Sequence, residues 1–145
     1  MNWLFTSRPV LTGKGIAVIR ILIGAFLAYH GWEVFDRDTM NGYLEWDVFK
    51  GSNGEWMVYA GKVAELLGGI LLILGLFTRI ASILLMTTMM YICFIIGSGR
   101  VWYEDQHPFL FELFGIIFII TGPGNWAVDN LIGRKGSGSY SKQSF

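Results

Sequence analysis

Apolar residues run along this chain in four long blocks separated by short polar stretches. The first covers about residues 15–35, the second about 57–77, the third about 80–97 and the fourth about 102–122. At about 1.5 Å per residue, a helix of some twenty residues reaches about 30 Å, the thickness of a bilayer's hydrocarbon core. Blocks this long and this apolar point to lipid as their surroundings. The third is the cleanest, free of Asp, Glu, Lys, Arg and His. In the fourth, the strictly apolar stretch from Phe109 to Thr121 is short, so the helix is expected to begin near Trp102 and kink at Pro108, before breaking at Gly122-Pro123-Gly124. Thr78-Arg79 is read as the tight turn between the second and third spans. The pattern predicts an all-α integral membrane protein, a bundle of four transmembrane helices forming a single domain over residues 1–135. An outer loop at 36–56 and a disordered Ser/Gly-rich tail at 136–145 complete it.

Charge adds an orientation. An even number of spans puts both termini on one side, and that side with the 78–79 turn holds Arg8, Lys14, Arg20, Arg79, Arg134, Lys135 and Lys142. The opposite loops and outer halves hold Arg37, Lys50, Lys62 and Arg100. Basic residues favour the cytoplasmic side, so both termini are expected there. Arg8, Lys14 and Arg20 before an apolar stretch resemble a secretory signal, yet no small-residue cleavage site follows, and the segment reads as a retained first span.

Composition agrees with the pattern and removes several functions. The chain is 53% hydrophobic and 15% charged, against about a quarter charged in soluble domains. Its formal net charge is zero and no basic stripe is present, which argues against nucleic acid as a partner. The single cysteine, Cys93, has no partner for an intrachain disulfide and reads as a small hydrophobe. Ala60, Ala64 and Gly68 repeat every four residues in the second span, joined by Gly69 and Gly75. Such a face lets helices approach closely in lipid, first within the monomer and alternatively in a homo-oligomer.

Ionisable residues inside spans need a reason, since each costs about 2.5–3.5 kcal/mol at a helix centre on insertion scales. Arg20, near the inner end of span 1, is expected to snorkel to headgroups. His30, Glu33, Lys62, Glu65 and Glu112 lie at similar depth in the outer half, with His30, Glu65 and Glu112 within about 10 Å of the midplane. They are expected to converge as one layer. A di-iron site needs about four carboxylates and two histidines, roughly twice this set, so no metal is expected. A bis-histidine haem would require His30 and His107, but His107 precedes span 4 at the interface, and this is set aside. Two readings remain: a proton-accepting pocket for a polar head such as a quinone ring, or a closed hydrogen-bonded knot. The aromatic-acidic run Tyr43 to Phe49 is either an interfacial segment over the outer mouth or an ordinary loop.

The succession Arg20…Gly24-Ala25…His30-Gly31, Ala64-Glu65…Gly68-Gly69…Gly75-Leu76-Phe77-Thr78-Arg79, Glu112 and Gly122-Pro123-Gly124…Trp126…Asp129 resembles the DoxX family. The resemblance spans about residues 15 to 130. It implies a small four-helix protein of the bacterial inner membrane, some of whose relatives are membrane subunits of a thiosulfate:quinone oxidoreductase or belong to redox-linked complexes. It carries over no catalytic residue. The expected function is a membrane subunit of a redox complex, with other membrane proteins or copies of itself as partners and a quinone as its small ligand; no covalent or metal cofactor is expected. The alternatives are a small transporter or proton relay, or a scaffold subunit. Whether the chain is an enzyme stays open.

Overall fold

A computed structural model describes residues 12–137, and every regular element in that range is helical. Helix α1 runs Thr12–Trp32 and continues through a 3-10 turn at Glu33–Phe35. A short helix, α2 (Arg37–Leu44), and a second 3-10 turn at Asp47–Phe49 form the long outer connection. Helix α3 spans Gly54–Leu74 and α4 spans Thr78–Tyr91, passing into a π-helical turn at Ile92–Ile96. Helices α5 (Gln106–Thr121) and α6 (Val128–Ser137) complete the described chain.

Three segments, Thr12–Phe35, Gly54–Leu74 and Thr78–Ile96, are long and apolar enough to cross a membrane. Helix α5 is equally apolar but has 16 residues, about 24 Å, short of a full hydrocarbon thickness. It begins at Gln106, four residues later than expected, for two physical reasons. A helix starting at Trp102 would bury Pro108 in its interior, where the ring displaces a backbone bond and clashes with the preceding turn; starting at Gln106, Pro108 sits in the first turn. The Asp105 carboxylate also accepts from the Ser98 (2.9 Å) and Arg100 (2.8 Å) amides, tying residues 98–105 into a compact turn.

The α3–α4 connection also lies earlier than the sequence suggests. Gly75 takes a left-handed conformation (φ +63°) as the C-cap of α3, and the Leu76 amide donates back to the Leu71 carbonyl at 3.0 Å. The turn is therefore 75–77, and Thr78 and Arg79 open α4. At the far end, α6 extends through Ser137, so Gly136 and Ser137 of the expected tail are helical; the rest of that tail lies outside the described residues.

Helices α1 and α3 form the tightest pair. A Cβ on Gly24 would come within 2.8 Å of the Gly69 carbonyl oxygen, and one on Gly69 within 2.7 Å of the Gly24 carbonyl oxygen. Two backbones in direct contact gain dispersion and exclude lipid, which is the form attraction takes where no hydrophobic effect operates. The small-residue face of span 2 thus packs within the monomer. Ile23, Leu27, Leu72, Ala81, Leu85, Met89, Phe111 and Phe118 fill the space between α1, α3, α4 and α5. Met40, Phe49 and Val58 form a second cluster that seats the outer connection on the bundle as a roof. Cys93, fully buried, packs inside.

Candidate functional site

Beneath the roof lies a cavity of about 230 Å³. Its walls are mainly apolar, among them Leu27, Met57, Val58, Met89, Ile92 and Phe111, while Tyr43, Trp46 and Phe49 cover it from the outer connection. Its carboxylate, ammonium and imidazole groups come from three helices, His30 of α1, Lys62 and Glu65 of α3, and His107 of α5, and Thr88 and Tyr91 of α4 add hydroxyl-bearing side chains.

Lys62 organises these groups. Its ammonium lies 2.8 Å from Glu33 Oε2 and 3.1 Å from Glu65 Oε2, and 4.7 Å from the centre of the Tyr43 ring. The Tyr43 hydroxyl donates to Glu33 Oε2 at 2.6 Å, and His30 Nδ1 stands 3.8 Å from Glu33 Oε1. One positive charge therefore holds two carboxylates that belong to different helices and ties both to the roof. Burial, reinforced by the hydrogen bond to Glu33, pushes the Tyr43 phenol above its ordinary value, so the tether stays protonated through the neutral range. At the start of α2, the Thr39 hydroxyl and the Asp38 amide hold the exposed Asp36 carboxyl below the usual range, as suits an N-cap.

Of the five side chains singled out in the sequence, the structure gathers His30, Glu33, Lys62 and Glu65. Glu112 stands apart. It is buried in α5, does not line the cavity, and one of its carboxyl oxygens has no hydrogen-bond partner among the described residues. The reason is rotational: Phe111, its neighbour, takes the face of α5 that meets the cavity, and the next residue points about 100° away. His107, set aside above, is brought to 6.0 Å from His30 between ring centres. Its place in the first turn of α5 carries it back over the bundle, which sequence depth alone did not reveal. Tyr43 was also missed as a site residue; its signal was the aromatic-acidic run. No group of three or more His, Cys, Asp or Glu side chains among the described residues is arranged to hold a metal ion.

A second polar cluster closes the end of the bundle away from the cavity, and it corrects the reading of Arg20. That side chain does not reach headgroups; it is fully buried. Its guanidinium donates to the carbonyls of Pro123 (2.8 Å), Ile73 (3.0 Å), Trp126 (3.0 Å), Asn125 (3.4 Å) and Leu72. These carbonyls gather here because α3 ends at Leu74 with Gly75 as its cap and the chain breaks at Gly122-Pro123-Gly124; the Leu72 carbonyl also accepts from the Gly75 amide at 3.1 Å. Beside them, the Asp129 carboxylate accepts from the Phe77 (2.7 Å) and Thr78 (2.9 Å) amides and caps α4. Phe77 and Trp126, both at positive φ (48° and 53°), are held in these strained conformations by the same bonds.

The helices and this pair of polar clusters define a small multi-pass membrane protein, sealed at one end and hollow at the other. The chain belongs to the DoxX family, whose model matches residues 15–98, from within α1 to just past the π turn. It is 31% identical to a protein of Haemophilus influenzae described as uncharacterized, over 93% of this chain and 100% of that relative. No solved structure matches it.

Proposed function

We propose that the outer cavity binds the polar head of a quinone-type lipid, and that the protein serves as a four-span membrane subunit of a redox-linked complex in the bacterial inner membrane. The observation that carries this reading is one apolar chamber of about 230 Å³ with His30, His107, Lys62 and Glu65 converging on it. Drug-sized pockets run to about 300–1,000 Å³, so this one suits a single ring with its substituents and not a whole lipid. Lys62 faces two carboxylates, so the cluster carries no surplus positive charge whether Glu65 is ionised or protonated. That favours a neutral, hydrogen-bonding head over an anion. The imidazoles supply donors or acceptors for ring oxygens. Electron transfer would come from a partner subunit.

The fourth span is supported by aromatic residues at both ends of α5: Trp102 and Tyr103, each 81% exposed, before it and Trp126, 63% exposed, after it. Amphipathic rings at both interfaces mark a segment that crosses, with the bilayer thinning to meet a short helix. The closed Arg20 cage at the inner end weighs against the alternative of a transporter or proton relay, which needs a continuous path.

Native mass spectrometry of the protein extracted gently from its own membrane tests the proposal. A retained quinone-sized mass is expected, lost in Glu65→Gln while the unfolding temperature in detergent stays close to that of the parent. Repeated absence of that mass, together with substrate flux in liposomes, would overturn it in favour of transport.

A further inference from the structure

The cavity has walls of unequal strength. Above it, the roof is tied down by the Tyr43–Glu33 hydrogen bond, by Lys62 against the Tyr43 ring and by the buried trio Met40, Phe49 and Val58. Trp46 adds ring contacts to Tyr43 (5.1 Å between centres) and Phe49 (6.4 Å). On one side, α1 and α3 meet backbone to backbone. On another, α4 and α5 are joined by Leu85, Met89 and Phe111, with Gly115 set directly against Met86. Between α3 and α4, Leu72 packs in one cluster with Leu85, and a Cβ on Gly68 would lie 3.6 Å from Leu84; the remaining side is the seam between α1 and α5. At cavity level it is bridged by ring-edge contacts, Phe26–Phe111 at 6.5 Å and His30–His107 at 6.0 Å. Phe26 is 56% exposed and the His30 side chain 42% exposed. Edge contacts between rings part by side-chain rotation, without breaking a buried charge cluster or moving a helix.

We infer that the cavity opens sideways to the bilayer between α1 and α5, through a seam gated by Phe26–Phe111 and His30–His107, and that its ligand is lipid-borne, with an apolar tail lying in that seam. The inference rests on the head-group reading above and adds the route and the tail. It follows from the chamber's size as well: the head fills the space, and a tail attached to it has to leave through the wall that costs least to part. An apolar tail between Phe26 and Phe111 stays in hydrocarbon, whereas one passing through the roof would displace the Tyr43–Glu33–Lys62 cluster and enter water.

Photolabelling of the full chain in lipid nanodiscs tests this. The probe is a benzoquinone with a decyl tail carrying a diazirine on the tail carbons nearest the ring, and adducts are mapped by peptide mass spectrometry. Adducts that disappear with excess unlabelled decyl-benzoquinone are expected on α1 and α5, at Phe26, Tyr29 and the 107–111 turn, and are expected to be lost in Phe26→Trp, which fills the seam. A displaceable adduct on the 36–56 roof or on the α3–α4 side would overturn the lateral route and leave head-group binding standing. No displaceable adduct anywhere, including from a second probe with its diazirine on the ring, would overturn both.

Discussion

Arg20 shows how much one side chain is asked to do where water is absent. Its guanidinium meets five carbonyls at one helix end and one broken loop, a fit that depends on the planar fork of that group. Lysine has a single ammonium with three donors, so Arg20→Lys strands acceptors in a buried place. At about 1–3 kcal/mol for each unpaired group, the variant is expected to lose on the order of 3 kcal/mol, read as a lower unfolding temperature in detergent. An unchanged melting temperature would mean that the cage adds nothing. The residue's oddity was legible in the sequence as a charge inside an apolar block. Its destination was not, because the acceptors lie more than fifty and more than a hundred residues away and become acceptors only once α3 and α5 end where they do. His107 was hidden for the same reason: its partner ring belongs to α1.

Among the elements, the pairing of α1 with α3 shows the limit of a stripe read from one helix. Ala60, Ala64, Gly68 and Gly69 declare that span 2 has a smooth side. The geometry chooses Gly69, facing Gly24 and the Ala28 backbone, while a Cβ on Gly68 would meet Leu27 at an ordinary 3.4 Å. Gly69→Ala is therefore expected to push α1 from α3 and cost about 1–3 kcal/mol, the usual range for overpacking. Gly61→Ala, on the same helix with nothing within 4 Å of its added Cβ, is expected to be neutral or slightly stabilising. Thermal unfolding of the two variants side by side checks this, and an equal, neutral or stabilising response in both would show that close approach at Gly69 adds nothing beyond helix propensity. The outer connection was legible as aromatic and acidic. That it folds as α2 and a 3-10 turn over a cavity was not, since the contacts that seat it, Val58 from α3 and Tyr91 and Ile96 from the α4 side, are distant in sequence.

For the whole molecule, orientation is the property that sequence speaks to most directly. Setting aside Arg20 and Lys62, which are bound up in the two clusters, six basic residues remain on the side of the termini and three on the other. From the positive-inside preference, both termini are expected in the cytoplasm and the cavity toward the outside. A membrane-impermeant thiol reagent on intact cells is expected to label Ser52→Cys and spare Ser137→Cys, with the buried Cys93 silent. The reverse pattern would invert the protein, and labelling of both sites would contradict an even number of spans. What the sequence determined by itself is therefore the solvent: apolar blocks of bilayer length force helices, because every backbone N–H and C=O must be paired within its own segment when no water is present. It also determined that polar residues in those blocks had to meet something. Which of them meet was decided only by tertiary structure. The rotation of each helix about its axis follows from where glycine allows close approach and where a proline or glycine ends a helix, and about 100° of rotation separates Phe111 in the cavity wall from Glu112 outside it.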